Sequence, residues 1–136
     1  MRLEALCENS APPVMLPLAR DATGIWRTDW APLVTAMRDA RHSVAVRAAV
    51  FHSSLAQALY AQALAIRKYT GVARVGLSGG VFQNRVLTEQ AHALLTAGGF
   101  DVLIPERLPV NDAAISYGQL IEATAIQAAH SRPRTR

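Results

Sequence analysis

The sequence predicts an α/β fold, a small and mostly parallel sheet covered by helices. Two segments of strand composition, 72–78 and 100–104, are each followed by a helical pattern, and this β-α-β-α order implies parallel pairing through a crossover helix. Upstream, Val44, Ala48, Phe51, Leu55, Leu59, Gln62 and Ile66 recur in steps of three and four, which predicts one long amphipathic helix. The 136 residues are 51% hydrophobic and 18% charged, a composition for one packed unit rather than two cores or a disordered chain.

Residues 2–6 have helical composition, and Pro12-Pro13 ends what they start. Residues 14–18 and 24–27 read as short strands around a polar turn over 19–23, with Pro17 confining the first to an edge. Asp29 suits an N-cap and Pro32 a first turn, so a short helix spans 30–39. The long helix covers 44–66 and closes at Thr70-Gly71, with Arg47, Ser54, Gln57 and Arg67 off its stripe. A parallel sheet asks for helices on both faces, and this helix supplies one of them. After strand 72–78, Gly79-Gly80 makes a tight turn and a helix spans 82–97, closed by Gly98-Gly99. Pro105 stops strand 100–104, and Asn111-Asp112 caps a last helix that runs to about residue 129.

A single cysteine, Cys7, excludes a disulfide framework and a multi-cysteine zinc site, and fits a reducing compartment. No apolar run approaches the roughly 20 residues of a membrane span and no secretory signal opens the chain, so the expectation is a cytoplasmic protein without membrane contact. The net charge of +4 and pI of about 10.0 owe much to three arginines in residues 131–136, read as a disordered basic tail; without them the remainder is nearly neutral. With aromatics at 6% and no basic stripe among them, a nucleic-acid surface is not expected.

The strongest local signal is Gly76-Leu77-Ser78-Gly79-Gly80, set between a strand and a helix. Its glycines let backbone N–H groups approach an anion, which makes a nucleotide phosphate a natural ligand, although no Walker lysine follows. The same residues satisfy Gly-x-Ser-x-Gly, with Asp112 and His130 completing the Ser, Asp, His order of a serine hydrolase. Too few strands and no oxyanion-loop glycines accompany that pattern. A third reading makes Gly79-Gly80 a turn without a ligand.

The wider string Leu77-Ser78-Gly79-Gly80-Val81-Phe82-Gln83-Asn84-Arg85, followed by Pro109-Val110-Asn111-Asp112 and Gly118-Gln119, resembles the C-terminal end of the HypF carbamoyltransferases of nickel–iron hydrogenase maturation. Met1-Arg2-Leu3-Glu4-Ala5-Leu6, Asp29-Trp30-x-Pro32-Leu33, Phe51-His52-x-x-Leu55 and Gly99-Phe100-x-Val102-Leu103 follow the same family's order, so the resemblance covers residues 1–130. It implies part of one ribonuclease-H-like lobe of the actin-like ATPase (ASKHA) fold, related to the tRNA threonylcarbamoyladenosine enzymes. It also implies ATP-dependent carbamoyl transfer from carbamoyl phosphate, through a carbamoyl-adenylate, to the C-terminal cysteine of a HypE-like protein. By the same resemblance Ser78, Gly79, Gly80 and Asn84 face the nucleotide, and Asp112 faces a divalent metal at its phosphates.

Asp112 also reads as an ordinary helix cap, and one carboxylate is too few to hold a metal. The metal-binding His-x-x-x-His of the related family has no counterpart, since His42, His52, His92 and His130 are widely separated. His52 and His92 read as satisfied histidines, Trp26 and Trp30 as core or staple residues, and Gly118 as a packing position. The family usually has Asn-Asp-Gly-Gly where this chain has Asn111-Asp112-Ala113-Ala114, which puts two methyl groups at the helix start. The sequence therefore reads as a C-terminal subdomain that lacks its other domains and is inert alone. It would pair with the missing N-terminal portion of a HypF-like enzyme, or else be a remnant or an interaction module for a HypE-like protein or another lobe; cut from its lobe, it is expected in either case to expose an apolar patch open to homo-oligomer formation.

Overall fold

The computed structural model describes residues 2–7 and 10–130, apart from the side chains of 2, 129 and 130; the expected basic tail at 131–136 lies outside the described residues. In chain order the elements are α1 (Arg2–Ala5), β1 (Leu18–Arg20), β2 (Trp26–Thr28), α2 (Ala31–Arg38), α3 (Val44–Thr70), β3 (Arg74–Gly76), α4 (Arg85–Ala97), β4 (Asp101–Leu103) and α5 (Ile115–His130). Short 3₁₀ turns at Gly80–Gln83 and Asp112–Ala114 precede α4 and α5.

β1 and β2 form an antiparallel hairpin with Leu18 opposite Thr28. Both strands begin later than composition suggests, because the turn is organised by Asp21. Its Oδ1 accepts from the N–H groups of Thr23 (2.9 Å) and Ile25 (3.0 Å) and from Thr23 Oγ1 (2.6 Å), and Oδ2 pairs with Arg27 Nε at 2.5 Å. The Thr23 hydroxyl first, and then Arg27, hold the Asp21 carboxyl down at about 2. Residues 14–17 are instead an extended strap against α3, where Val14 donates to Ser54 Oγ at 2.9 Å. That contact explains why Ser54, expected off the apolar stripe, is wholly buried: α3 is covered on more than one side.

β3 and β4 pair in parallel, with Arg74, Val75 and Gly76 opposite Asp101, Val102 and Leu103. Val75 and Val102 face a core made by Ala56 of α3, Leu87, Ala91 and Leu95 of α4, and Leu77 and Phe100 beside the strands. Both helices therefore lie on one face of the sheet, and the expectation of helices on both faces is corrected. Among the described residues the other face is open: Arg74 and Asp101 are exposed there and pair at 2.6 Å, and Leu103 is 50% exposed. The turn closing α4 is tight for a steric reason. A Cβ on Gly98 would stand 2.4 Å from Tyr60 Cε2, so only glycine lets that ring reach Phe100, which it meets edge-on at 6.4 Å.

The helix expected from residue 82 starts at Arg85, because Asn84 caps it. Asn84 Oδ1 accepts from Leu87 N–H at 3.0 Å, and its Nδ2 donates to His52 Nε2 at 2.8 Å. His52 is fully buried on α3 and its Nδ1 bonds Ala48 O at 2.7 Å, a carbonyl that can only accept. The imidazole is thus the Nδ1–H tautomer, a satisfied histidine that clasps α3 to the start of α4. Glu4 of α1 closes the same helix end, accepting from Arg85 N–H at 2.6 Å, and this backbone bond lowers its carboxyl.

Three expectations change. Trp30 is 46% exposed at the start of α2, which sets aside the core half of its core-or-staple reading, and His92 is exposed on α4 rather than seated at a helix–sheet junction. α5 stands clear of the sheet, and a Cβ on Gly118 would meet nothing within 4 Å, so packing does not explain that glycine.

Leu95→Ala removes a side chain that is 1% exposed and is expected to cost about 2–5 kcal/mol in urea unfolding. Asn84→Ala removes a cap and strands the His52 nitrogen, for an expected loss of about 2–4 kcal/mol. Asn84→Ser, which keeps a capping oxygen but cannot reach His52, is expected to recover about 1 kcal/mol of it in the same titration.

Candidate functional site

Parallel strands with matched register end together, so the loops that follow β3 and β4 emerge side by side. The backbone makes the junction directly. Gly79 N–H donates to Val110 O at 2.5 Å, tying the turn after β3 to the loop after β4. Gly79 has φ +109, which a side chain would strain, and nothing lies within 4 Å of where its Cβ or that of Gly80 would stand.

This junction frames an open cleft of about 260 Å³ lined by Ser78, Gly79, Val110, Asn111, Asp112 and Ala114, with Ile115 at its end. Ser78, Gly79 and Asp112, three of the five expected site residues, therefore share one cleft although 34 positions separate Ser78 from Asp112. Gly80 is exposed at the head of the adjoining 3₁₀ turn. Asn84 is 8% exposed and has both polar groups bonded within the protein. The cap at the second loop belongs to Asn111, whose Oδ1 accepts from Ala113 N–H at 3.1 Å, which leaves the exposed Asp112 carboxylate out of the capping role. Of the two alanines, Ala114 lines the cleft and Ala113 does not.

Asp112 is the one charged side chain on these walls, so the cleft by itself carries negative charge and does not attract phosphate. Among the described residues no group of three or more His, Cys, Asp or Glu could hold a metal ion. Asp112 fits one oxygen ligand of a divalent cation, and the remaining ligands must come from elsewhere. A nucleophile elbow needs its serine on a strained strand-to-helix turn, but no residue other than glycine has positive φ among the described residues, and α4 starts seven positions after Ser78. The His130 side chain lies outside the described residues. No helix among them is long and apolar enough to cross a membrane.

Sequence reasoning did not find the Val110 carbonyl or the Asn84–His52 bond. A carbonyl carries no residue signature, and the partners in the second case lie 32 positions apart on different helices. The signal available was the parallel β-α-β-α order, which already places the two loops at one end.

Residues 1–119 match the family model described as carbamoyltransferase, Kae1-like domain, second subdomain. The carbamoyltransferase HypF of Synechocystis is 37% identical over 94 residues, 68% of this chain and 12% of that protein. That of Rhodobacter capsulatus is 34% identical over 125 residues, 92% of this chain and 16% of that protein. A crystal structure of full-length HypF in the phosphate- and nucleotide-bound form superimposes with a TM-score of 0.80 at 31% identity, over 91% of this chain and 17% of that one. HypF of T. kodakarensis, at 20% identity and TM-score 0.72, shares the fold. The chain thus spans under a fifth of each of these relatives, and it belongs to the carbamoyltransferase HypF family, within the second subdomain of the Kae1-like domain.

Proposed function

We propose that this chain supplies one wall of the nucleotide site of a HypF-like carbamoyltransferase, within a ribonuclease-H-like lobe of the actin-like ATPase fold. The observation that carries the reading is the single cleft where Ser78 and Gly79 meet Asp112, at the ends of two parallel strands. ATP or a carbamoyl-adenylate lies along Ser78–Gly79–Gly80. The Gly79 N–H is spent on Val110, so the phosphates are met by the Ser78 hydroxyl and the N–H of Gly80, with the empty Cβ positions allowing close approach. Asn84 acts from behind, fixing the start of α4 and with it the turn. A divalent cation, when bound, offsets phosphate charge; Asp112 supplies one of its oxygen ligands, and without it the carboxylate repels the nucleotide.

In this reading the transferred group is the carbamoyl of carbamoyl phosphate, its acceptor is the C-terminal cysteine of a HypE-like protein, and the remainder of a HypF-like enzyme supplies the opposite wall. One wall leaves a bound nucleotide in water, where charge–charge contacts are weak, so the chain alone is a binding half-site and not a catalyst.

Calorimetric titration with ATP and AMP, each with and without divalent metal, tests this. Wild type is expected to bind ATP weakly, with metal strengthening binding at least fivefold, and Gly80→Trp to abolish the heat while keeping its circular dichroism. A well-folded wild type that gives no heat at millimolar nucleotide would replace this reading with a non-catalytic interaction module.

A further inference from the structure

We propose that the buried chain of bonds from Ala48 through His52 and Asn84 to Leu87 is a proton-operated lock, closed while the His52 imidazole is neutral and opened when its Nε2 takes a proton. All four residues are buried, and none of their bonds depends on what binds at the glycine turn.

Each group in the chain has one orientation that works. Ala48 O can only accept, so His52 Nδ1, 2.7 Å away, carries the ring proton and Nε2 is left as an acceptor. Leu87 N–H can only donate, so the Asn84 atom 3.0 Å from it is Oδ1, and Nδ2 turns to His52 Nε2 at 2.8 Å. A proton on Nε2 sets its N–H against that amide, donor against donor. Turning the amide over only moves the conflict, since Nδ2 then faces the Leu87 N–H. No arrangement of Asn84 both caps α4 and receives an imidazolium, so protonation expels the side chain from one role or the other.

Burial makes the conflict costly. His52 is fully buried and Asn84 is 8% exposed, so solvent does not supply a substitute partner. The surrounding charges do not offset an imidazolium either. On α3 the Arg47 guanidinium bonds Met37 O, and beyond α2 the Asp39 carboxylate pairs with Arg41. At the start of α4, Glu4 accepts from the Arg85 N–H while the Arg85 guanidinium reaches Glu89. None of these groups bonds the imidazole, whose ring neighbour is Phe51, edge-on at 5.5 Å between centroids.

What the lock holds extends back toward β3. Asn84 N–H donates to Val81 O at 3.1 Å and Phe82 N–H to Gly79 O at 3.0 Å. Thr88 Oγ1 bonds both Phe82 O at 2.9 Å and Asn84 O at 2.8 Å. The 3₁₀ turn at Gly80–Gln83 is thus tied to the residue that His52 positions, and opening the lock loosens first the cap of α4 and then this turn. The sign of the pH dependence follows. An unfolded chain takes the same proton freely near the ordinary histidine value of about 6.5, so the closed state is at full strength above that pH and loses ground as pH falls through it. His42 and His92 are exposed and meet no such conflict.

The test is amide hydrogen exchange of the full chain, read at Leu87 from about pH 7.5 to about pH 5.5 and divided by the unfolded-chain rate at each pH. Wild-type protection is expected to fall about tenfold over this interval, the excess of protonated over neutral imidazole one unit below about 6.5. Asn84→Asp keeps a capping oxygen and puts a second oxygen, an acceptor, opposite Nε2. Its profile is expected to invert, with Leu87 protection rising about tenfold as pH falls over the same range. His52→Gln, which does not titrate, is expected to flatten the profile. A flat wild-type profile, or one whose sign Asn84→Asp leaves unchanged, overturns the lock. If a variant does not fold, nitrogen NMR of the wild-type ring decides: the Nδ1–H tautomer is expected at about pH 7.5, and a proton on Nε2 there overturns the proposal.

Discussion

A two-stranded parallel ladder is not stable in isolation, and every other feature of this molecule depends on how β3 and β4 are held. They are held from one side. Val75 and Val102 press on α3 and α4, and the core of Leu77, Leu87, Ala91, Leu95 and Phe100 excludes water from that face. Burial of the three leucines and the phenylalanine stabilises by about 1.5–3 kcal/mol each, so together they outweigh ladder hydrogen bonds worth about 0.5–1.5 kcal/mol apiece. The Asn84–His52 bond then sets the register of α4 on α3, as one side chain caps a helix and anchors it to its neighbour at once.

That one-sided support determines what remains for function. Parallel pairing brings the loops after β3 and β4 to one end, where the Gly79–Val110 bond joins them and the cleft holds Ser78 and Asp112. It also leaves the second sheet face and the outer edge of β3 uncovered among the described residues. The proposed nucleotide wall thus owes its place to the ends of a narrow parallel sheet held from one side.

The charge arrangement adds a constraint on the nucleotide reading. A cleft whose one charged side chain is Asp112 repels phosphate until a cation stands between them. In the proposed reading, nucleotide binding is therefore coupled to a metal and to the residues that would complete its shell. This is a physical reason for an incomplete site to be weak alone, independent of the family comparison.

Much of the fold was legible in local pattern. The stripe from Val44 to Ile66, the cap at Asn111-Asp112, the stops at Gly71 and Gly98, and the β-α-β-α order depend on residues close in sequence, where periodicity and backbone preference act. The Ser78-Gly79-Gly80 turn was legible for the same reason, and the likeness of its surrounding string to the HypF family identified the subdomain. Tertiary structure decided the rest. It put α3 and α4 on one face, buried Ser54 under the strap, and exposed Trp30 and His92. It joined Asn84, the cap of α4, to His52, and it brought Asp112 into one cleft with Ser78. Each of these is fixed by a partner at least 30 residues away or by which surface remains uncovered. Local propensity carries no information about such contacts, since they exist only once the chain has closed on itself.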